Sequence, residues 1–127
     1  MITNASCTVY NQLEDGTFKR TYLPAVFWRN VKAEQVKKYG AENASEVDVM
    51  IFADQLHDYV KAENFKGEGW TADTRNDTYI VKGECTDEVT DDIALIYENN
   101  LEAYKVCSAV ENLYGSAELW HVRIEAR

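Results

Sequence analysis

The chain contains few prolines and glycines, which interrupt regular secondary structure, and few cysteines, which can form disulfide bonds. Its 127 residues include one proline, six glycines and three cysteines. So little proline and glycine excludes a low-complexity linker. Cys7, Cys85 and Cys107 are odd in number and have no CxxC spacing, so they favour neither a disulfide framework nor a zinc site. We expect them to be reduced and mostly buried, in a reducing, intracellular setting.

Targeting signals are also missing from the sequence. Residues 1–10 lack a basic segment followed by an apolar one, which predicts no signal peptide. No apolar run approaches the roughly 20 residues of a membrane helix. Apolar residues make up 46% of the chain, enough for a core, and the length is that of one domain. We therefore expect a single domain over 1–127, with a mobile loop at 30–46.

Positive charge is scarce and unevenly placed. The net charge is −9, which opposes nucleic-acid binding. The segment 18–39 carries six basic residues and one acid, whereas 84–102 carries seven acids and no Lys or Arg. If the fold keeps these segments apart, the basic face of one copy can meet the acidic face of another. The candidate interface residues are Lys19, Arg20, Arg29, Lys32, Lys37, Lys38, Glu88, Asp91, Asp92 and Glu98.

Alternating apolar and polar residues predict about six strands. Pro24 interrupts one of them, so that strand is expected to lie at an edge, to bulge or to break in two. In the C-terminal hairpin the alternation places Val110 on the same face as Val106, and turns Trp120 inward with Val122 and Ile124. The segments 30–46 and 54–65 are ambiguous between loops and short helices. The predicted strands are 6–12, 17–29, 47–52, 79–82, 104–111 and 117–126.

One main helix is predicted at about 86–98. Thr86 is a suitable N-cap, and acids follow it in the first turn, where the helix dipole favours them. An apolar stripe of Val89, Ile93, Ile96 and Tyr97 follows at helical spacing. Because strands and helices do not alternate, we expect an α+β fold of mostly antiparallel strands. The sheet is expected to be strongly twisted or closed into a small barrel, with the helix against it.

Residues with catalytic or ligand chemistry do not form a recognised motif. His57 and His121 are far apart in the sequence, and the glycines of 66–70 lack the spacing of a phosphate loop. The polar stretch 73–77 misses the order of a calcium loop. Cys107 facing His121 would lack a third group to orient the histidine. We therefore expect no enzyme activity, no cofactor and no catalytic or metal-binding residue.

Two alternatives remain open from the residues alone. A small cytoplasmic ligand-binding or regulatory module would use an aromatic pocket lined by Trp28, Trp70 and Trp120. A small hydrolase or isomerase would use acids with His57 or His121.

Several local motifs resemble the small head–tail joining, or head-completion, proteins of tailed bacteriophages and prophages of Gram-positive hosts. They are "TVYNQ", "FKRTYLPAVFWRNV", "VDVMIFAD", "GWTADTRNDTYIVKGECTDEV" and "VENLYGSAELWHVRIEA". The likeness covers nearly the whole chain. It differs from the usual pattern at Asn76, where a glycine is usual, and in the order of Trp120 and His121.

This resemblance implies a virion structural protein without enzymatic activity. Proteins of this kind form rings between the portal and the tail, and loops of neighbouring subunits line or close the channel. The implied partners are portal or adaptor proteins, tail proteins and further copies of the chain in the ring, although the isolated protein can be a monomer. The implied location is the host cytoplasm during assembly and then the virion, with no membrane contact and no recognition of nucleic-acid sequence.

Overall fold

Six antiparallel strands close into a barrel. The computed structural model describes residues 3–30, 46–72, 78–86, 89, 93–100 and 102–127. Around the barrel the strands follow the order β1-β2-β3-β6-β5-β4, and β4 pairs again with β1. The prediction of a mostly antiparallel six-stranded fold is confirmed. The strands are β1 (Ala5–Gln12), β2 (Phe18–Asn30), β3 (Val47–Phe52), β4 (Thr78–Lys82), β5 (Ala103–Asn112) and β6 (His121–Ala126).

The two longest strands, β2 and β5, turn the corners of the barrel. Strand β2 pairs with β1 through its first part and with β3 through its second part. Its register shifts by one extra residue between Leu23 and Val26, which places Pro24 in a β-bulge. A proline is tolerated there because a bulge leaves a residue outside the ladder. The bulge is one of the outcomes predicted for Pro24.

Strand β5 has the corresponding irregularity at Cys107. Val106 pairs with Ala126 and Ser108 with Glu125, so β5 has one extra residue. The bulge reverses which side chains face inward, because the side-chain period of a strand is two. Ala109 therefore packs against the core, and Val110 is 52% exposed. The prediction that Val110 shares a face with Val106 is wrong for this reason.

The barrel interior is filled with side chains. Its buried cluster contains β-branched residues from all six strands, together with Trp28 from β2 and Trp70 from the long connection between β3 and β4. Val47, Val49 and Ile51 point into it, as the alternation of β3 predicts. Such an interior is a packed core, as in other barrels of few strands.

The connection between β3 and β4 carries Trp70 into this core. It contains two 3-10 turns, Ala53–Gln55 and Ala62–Asn64, in place of a longer helix. The Trp70 N–H donates to the Asp58 carbonyl over 3.1 Å, and the Val60 N–H donates to the Trp70 carbonyl over 2.9 Å. The Tyr59 ring lies edge-on to Trp70, with centroids 4.8 Å apart. These contacts fix the indole inside the barrel, where it is fully buried.

The predicted helix over 86–98 is not confirmed. The structure has a six-residue helix, α1 (Ala94–Asn99), and Val89 lies outside it. The Val89 carbonyl accepts a hydrogen bond from the Phe18 N–H over 3.3 Å, and its side chain is buried. Val89 is thus fixed against the start of β2. Residues 87–88 and 90–92, and most of the loop predicted at 30–46, lie outside the described residues.

The C-terminal hairpin begins its return later than predicted. Ala117–Leu119 forms a 3-10 turn, and β6 starts at His121. Trp120 is half-buried at this junction, where its indole N–H donates to the Gly115 carbonyl over 3.3 Å. Val122 and Ile124 are fully buried, as predicted. Among the described residues, no helix has the length and hydropathy required to cross a bilayer.

Candidate functional site

One side of the barrel is covered by the segment that follows β4. The outward side chains of β1 and β4, Tyr10, Tyr79 and Val81, form a second buried cluster with Cys85 and Ile96. The Tyr10 hydroxyl donates to the Cys85 sulfur over 3.0 Å. Ile96 is fully buried and anchors α1 against this side. The described part of the acidic segment, defined as 84–102, is therefore attached over β1 and β4.

The opposite side of the barrel presents a different set of outward side chains. In the strand order, β3 lies three places from β4, and β6 lies three places from β1. Cross-strand pairing sets Phe27 beside Met50 and Met50 beside Arg123. The next row sets Arg29 beside Asp48. We call these five residues the arginine face.

Ion pairs fix the arginine face. The Arg29 and Arg123 guanidinium groups both contact the Asp48 carboxylate, the Arg123 contact being 3.5 Å, and Arg123 lies 3.2 Å from Glu125. The Asp48 side chain is 10% exposed, whereas the Arg29 and Arg123 side chains are 54% and 45% exposed. The Asp48 charge lies beneath and the two guanidinium groups point outward, with the 37% exposed Glu125 carboxylate beside Arg123.

An apolar floor adjoins the two arginines. Phe27 and Met50 are half-buried and belong to neither buried cluster of the described residues. Together with the three charged residues they line an open depression of about 220 Å³. A depression with an apolar floor and cationic rims suits a protein surface that pairs an apolar residue with a carboxylate.

The predicted basic residues do not form one face. Lys19 and Arg20 lie at the start of β2, paired with Asn11 and Tyr10, whereas Arg29 is at its end. Nine residues of extended strand separate Arg20 from Arg29, at most about 30 Å. Of the acidic candidates, Glu98 is exposed on α1. The remaining candidates, Lys32, Lys37, Lys38, Glu88, Asp91 and Asp92, lie outside the described residues.

The catalytic alternatives find no support in these positions. His57 is exposed and lies 3.3 Å from Asp58, while His121 contacts the Asn112 amide at 3.0 Å on the hairpin. Asn112 and His121 are paired, so Cys107 lies five residues along β5 from His121, about 16 Å. Partial burial raises the pKa of the Cys107 thiol, which disfavours the thiolate.

The described residues also form no recognisable metal-binding or phosphate-binding site. Among these residues no group of three or more His, Cys, Asp or Glu is placed to hold a metal ion. The predicted polar loop at 73–77 lies outside them. Gly69 has a structural role, since a Cβ there would lie 2.2 Å from the Asp58 carbonyl oxygen.

The tryptophans of the predicted aromatic pocket occupy two different places. Trp28 and Trp70 belong to the barrel core, and Trp28 packs against Tyr104 with ring centroids 6.0 Å apart. Trp120 lies half-buried on the hairpin junction. The ligand-binding alternative stays a prediction.

Sequence reasoning missed Asp48, Arg123, Phe27 and Met50 as site residues. A signal was present in "VDVMIF", where a single aspartate interrupts an apolar strand. A charged residue in such a strand rarely lies buried without a partner. That signal predicts a cation nearby, but not which one, because the pairing of β3 with both β2 and β6 decides it.

Comparisons with known proteins add a family. No curated protein and no solved structure matches the chain significantly. A family model described as a family of unknown function, DUF6751, matches residues 2–127. The match spans nearly the whole chain, so the protein belongs to the DUF6751 family.

Proposed function

We propose that this protein is a structural subunit of a phage or prophage head–tail connector or tail junction. It has no enzymatic activity and needs no cofactor. It assembles into a ring with further copies of itself, between portal or adaptor proteins and tail proteins. It is present in the host cytoplasm during assembly and then in the virion.

The observation that carries this proposal is the placement of two unlike surfaces on opposite sides of one barrel. The described part of the acidic segment is attached over β1 and β4, and the arginine face lies on β2, β3 and β6. Surfaces placed in this way join copies head to tail, and such heterologous contacts close into rings when the rotation allows. Complementary charge also guides the order of assembly.

Two further observations support a structural role. The barrel interior is occupied by side chains, so the strands serve as a rigid scaffold for surfaces. The sequence motifs resembling head–tail joining proteins extend from the first strand to the closing hairpin.

Mixing the purified protein with the portal and tail proteins encoded beside it tests the proposal. We expect a complex in sedimentation velocity that weakens as the salt concentration rises, because exposed charges are screened beyond about 10 Å at 0.1 M salt. Failure to associate with either protein at any salt concentration would contradict the proposal. A gene position away from portal, capsid and tail genes would also contradict it.

A further inference from the structure

We propose that the arginine face of one copy receives helix α1 of a second copy. In this contact Leu95 lies on the apolar floor and Glu98 lies between the two arginines. The inference rests on the proposed function and deepens it, because it names the surfaces through which neighbouring copies join.

The receiving surface is chemically specific. Its floor is Phe27 and Met50, and its rims are the exposed guanidinium groups of Arg29 and Arg123. Asp48 beneath them holds both arginines in place. An arginine fixed in this way loses less side-chain entropy when it binds a carboxylate, because part of that freedom is already lost.

The entering surface has the matching pair of side chains. Leu95 is 38% exposed and Glu98 is exposed, and they are three residues apart on α1, so they share one side of the helix. Ile96 is buried on the other side and fixes the helix to the barrel. Glu98 forms no ion pair within the described residues.

The two surfaces cannot meet within one molecule. α1 packs over β1 and β4, whereas the arginine face is centred on β3, three places from β4, and on β6, three places from β1. Its β2 residues, Phe27 and Arg29, lie on the part of that strand that pairs with β3. A two-fold symmetric dimer buries one patch of each copy, in which residue i contacts j and j contacts i, so it cannot include two surfaces that lie on different sides of the barrel. The contact is therefore head to tail, and an open chain of copies keeps one free surface of each kind, at its two ends, until the ring closes.

Disulfide trapping tests the contact even when it is weak. The variant carries Met50→Cys and Leu95→Cys on a Cys107→Ser background, because Cys107 is the exposed native cysteine and Cys7 and Cys85 are buried. Under mild oxidation we expect a ladder of dimers, trimers and larger species. A chain with only one of the two new cysteines stops at the dimer.

A matched control replaces the α1 cysteine with Leu119→Cys. Leu119 is 63% exposed on the 3-10 turn of the hairpin, more than Leu95, and lies outside the acidic segment. A ladder from the Leu119 control, equal to or faster than that from Leu95, would identify the hairpin as the occupant or indicate random collision. Either result overturns the proposal, as does the absence of any ladder from the Leu95 variant.

Charge reversal tests whether Glu98 meets an arginine. Glu98→Arg in the ladder variant should slow crosslinking about tenfold, since like charges then oppose. Adding Arg123→Glu should restore the rate. If both variants crosslink at the parent rate, the assignment of Glu98 to the arginine rims is wrong. Binding to portal or tail proteins without self-crosslinking would overturn this inference and leave the connector function standing.

Discussion

At the residue scale, the backbone around Trp70 allows only glycine at one position. Gly69 has φ +73°, and a Cβ there would lie 2.2 Å from the Asp58 carbonyl oxygen. Backbone atoms cannot move aside as the end of a flexible side chain can. The hydrogen bonds that hold Trp70 in the core therefore depend on this glycine.

Gly69→Ala should destabilise the protein by at least about 3 kcal/mol, because the left-handed conformation and the backbone clash act together. Gly16→Ala is the matched control: it has φ +87° with no atom within 4 Å. It should cost about 1 kcal/mol, the conformational term alone. Urea denaturation measures both, and equal losses would contradict the role assigned to Asp58.

Two asparagines make the same kind of contact at different depths. The Asn11 side chain donates to the Thr71 carbonyl over 2.7 Å and accepts from the Thr71 N–H over 3.2 Å. The Asn4 side chain does the same with Trp28, over 2.9 and 2.7 Å. Asn11 is 1% exposed, whereas Asn4 is exposed.

Asn11→Ala should cost about 2–4 kcal/mol, because two backbone groups of Thr71 are left buried without a partner. Asn4→Ala should cost only about 0.5–1.5 kcal/mol, since water can replace the lost amide. Thermal and urea denaturation of the two variants measure the difference. A larger loss for Asn4→Ala would show that burial does not decide the value of this contact.

The buried thiol of Cys7 makes stability depend on alkaline pH. Burial raises the pKa of Cys7 from 9.0 to about 12. Between these values the unfolded chain loses the thiol proton and the folded chain keeps it, so the free energy of unfolding falls as pH rises through this window. Cys7→Ala should have a flatter profile between about pH 8 and pH 11 in urea denaturation. Parallel profiles for the two proteins would exclude Cys7 as the source.

At the element scale, α1 is held by side-chain packing, and Ile96 is its most deeply buried side chain. Tyr97 adds an edge-on contact with Tyr79, with ring centroids 6.2 Å apart. A six-residue helix is too short to be stable alone in water. Ile96 is fully buried in the cluster that also contains Tyr10 and Val81, whereas its neighbour Leu95 is 38% exposed. Helix α1 is therefore presented through the packing of its side chains, Ile96 foremost, and not through helix propensity.

Ile96→Ala should destabilise the protein by about 2–4 kcal/mol and release the segment 93–100 to fast amide exchange. Leu95→Ala should change the free energy of unfolding by less than about 1 kcal/mol and leave amide protection unchanged. Hydrogen exchange read by mass spectrometry distinguishes the two. Full protection of α1 in the Ile96 variant would mean that other contacts hold the helix.

At the scale of the whole molecule, one core joins all six strands. The interior cluster contains residues from each strand and from the connection that carries Trp70. Corner strands β2 and β5 pair with neighbours on both halves of the barrel, so neither half closes without the other.

Unfolding should accordingly be a single cooperative transition. Tryptophan fluorescence, dominated by the buried Trp28 and Trp70, and far-ultraviolet circular dichroism should give the same midpoint in urea. Two separated midpoints would show that the halves of the barrel unfold independently.

The sequence by itself determined the strands and their inward faces wherever the alternation was regular. Val47, Val49 and Ile51 are the clearest case, because an alternating pattern allows one buried face. The sequence also limited Pro24 to an edge strand, a bulge or a break, because proline has no N–H to donate to the strand pairing, and the structure has the bulge.

Tertiary structure alone decided three features. They are which side chains of β5 face inward after Cys107, the exclusion of Val89 from the helix, and the ion-pair partners of Asp48. Each depends on a pairing between residues distant in the chain: Val106 with Ala126, Val89 with Phe18, and Asp48 with Arg29 and Arg123. The order of residues in the sequence showed that basic and acidic side chains lie in different segments. Only the closure of the barrel placed the arginine face opposite the described part of the acidic segment. A local sequence pattern indicates which side of a strand or helix is buried. The residues that this side contacts come from distant parts of the chain, so they depend on the order in which the strands pair.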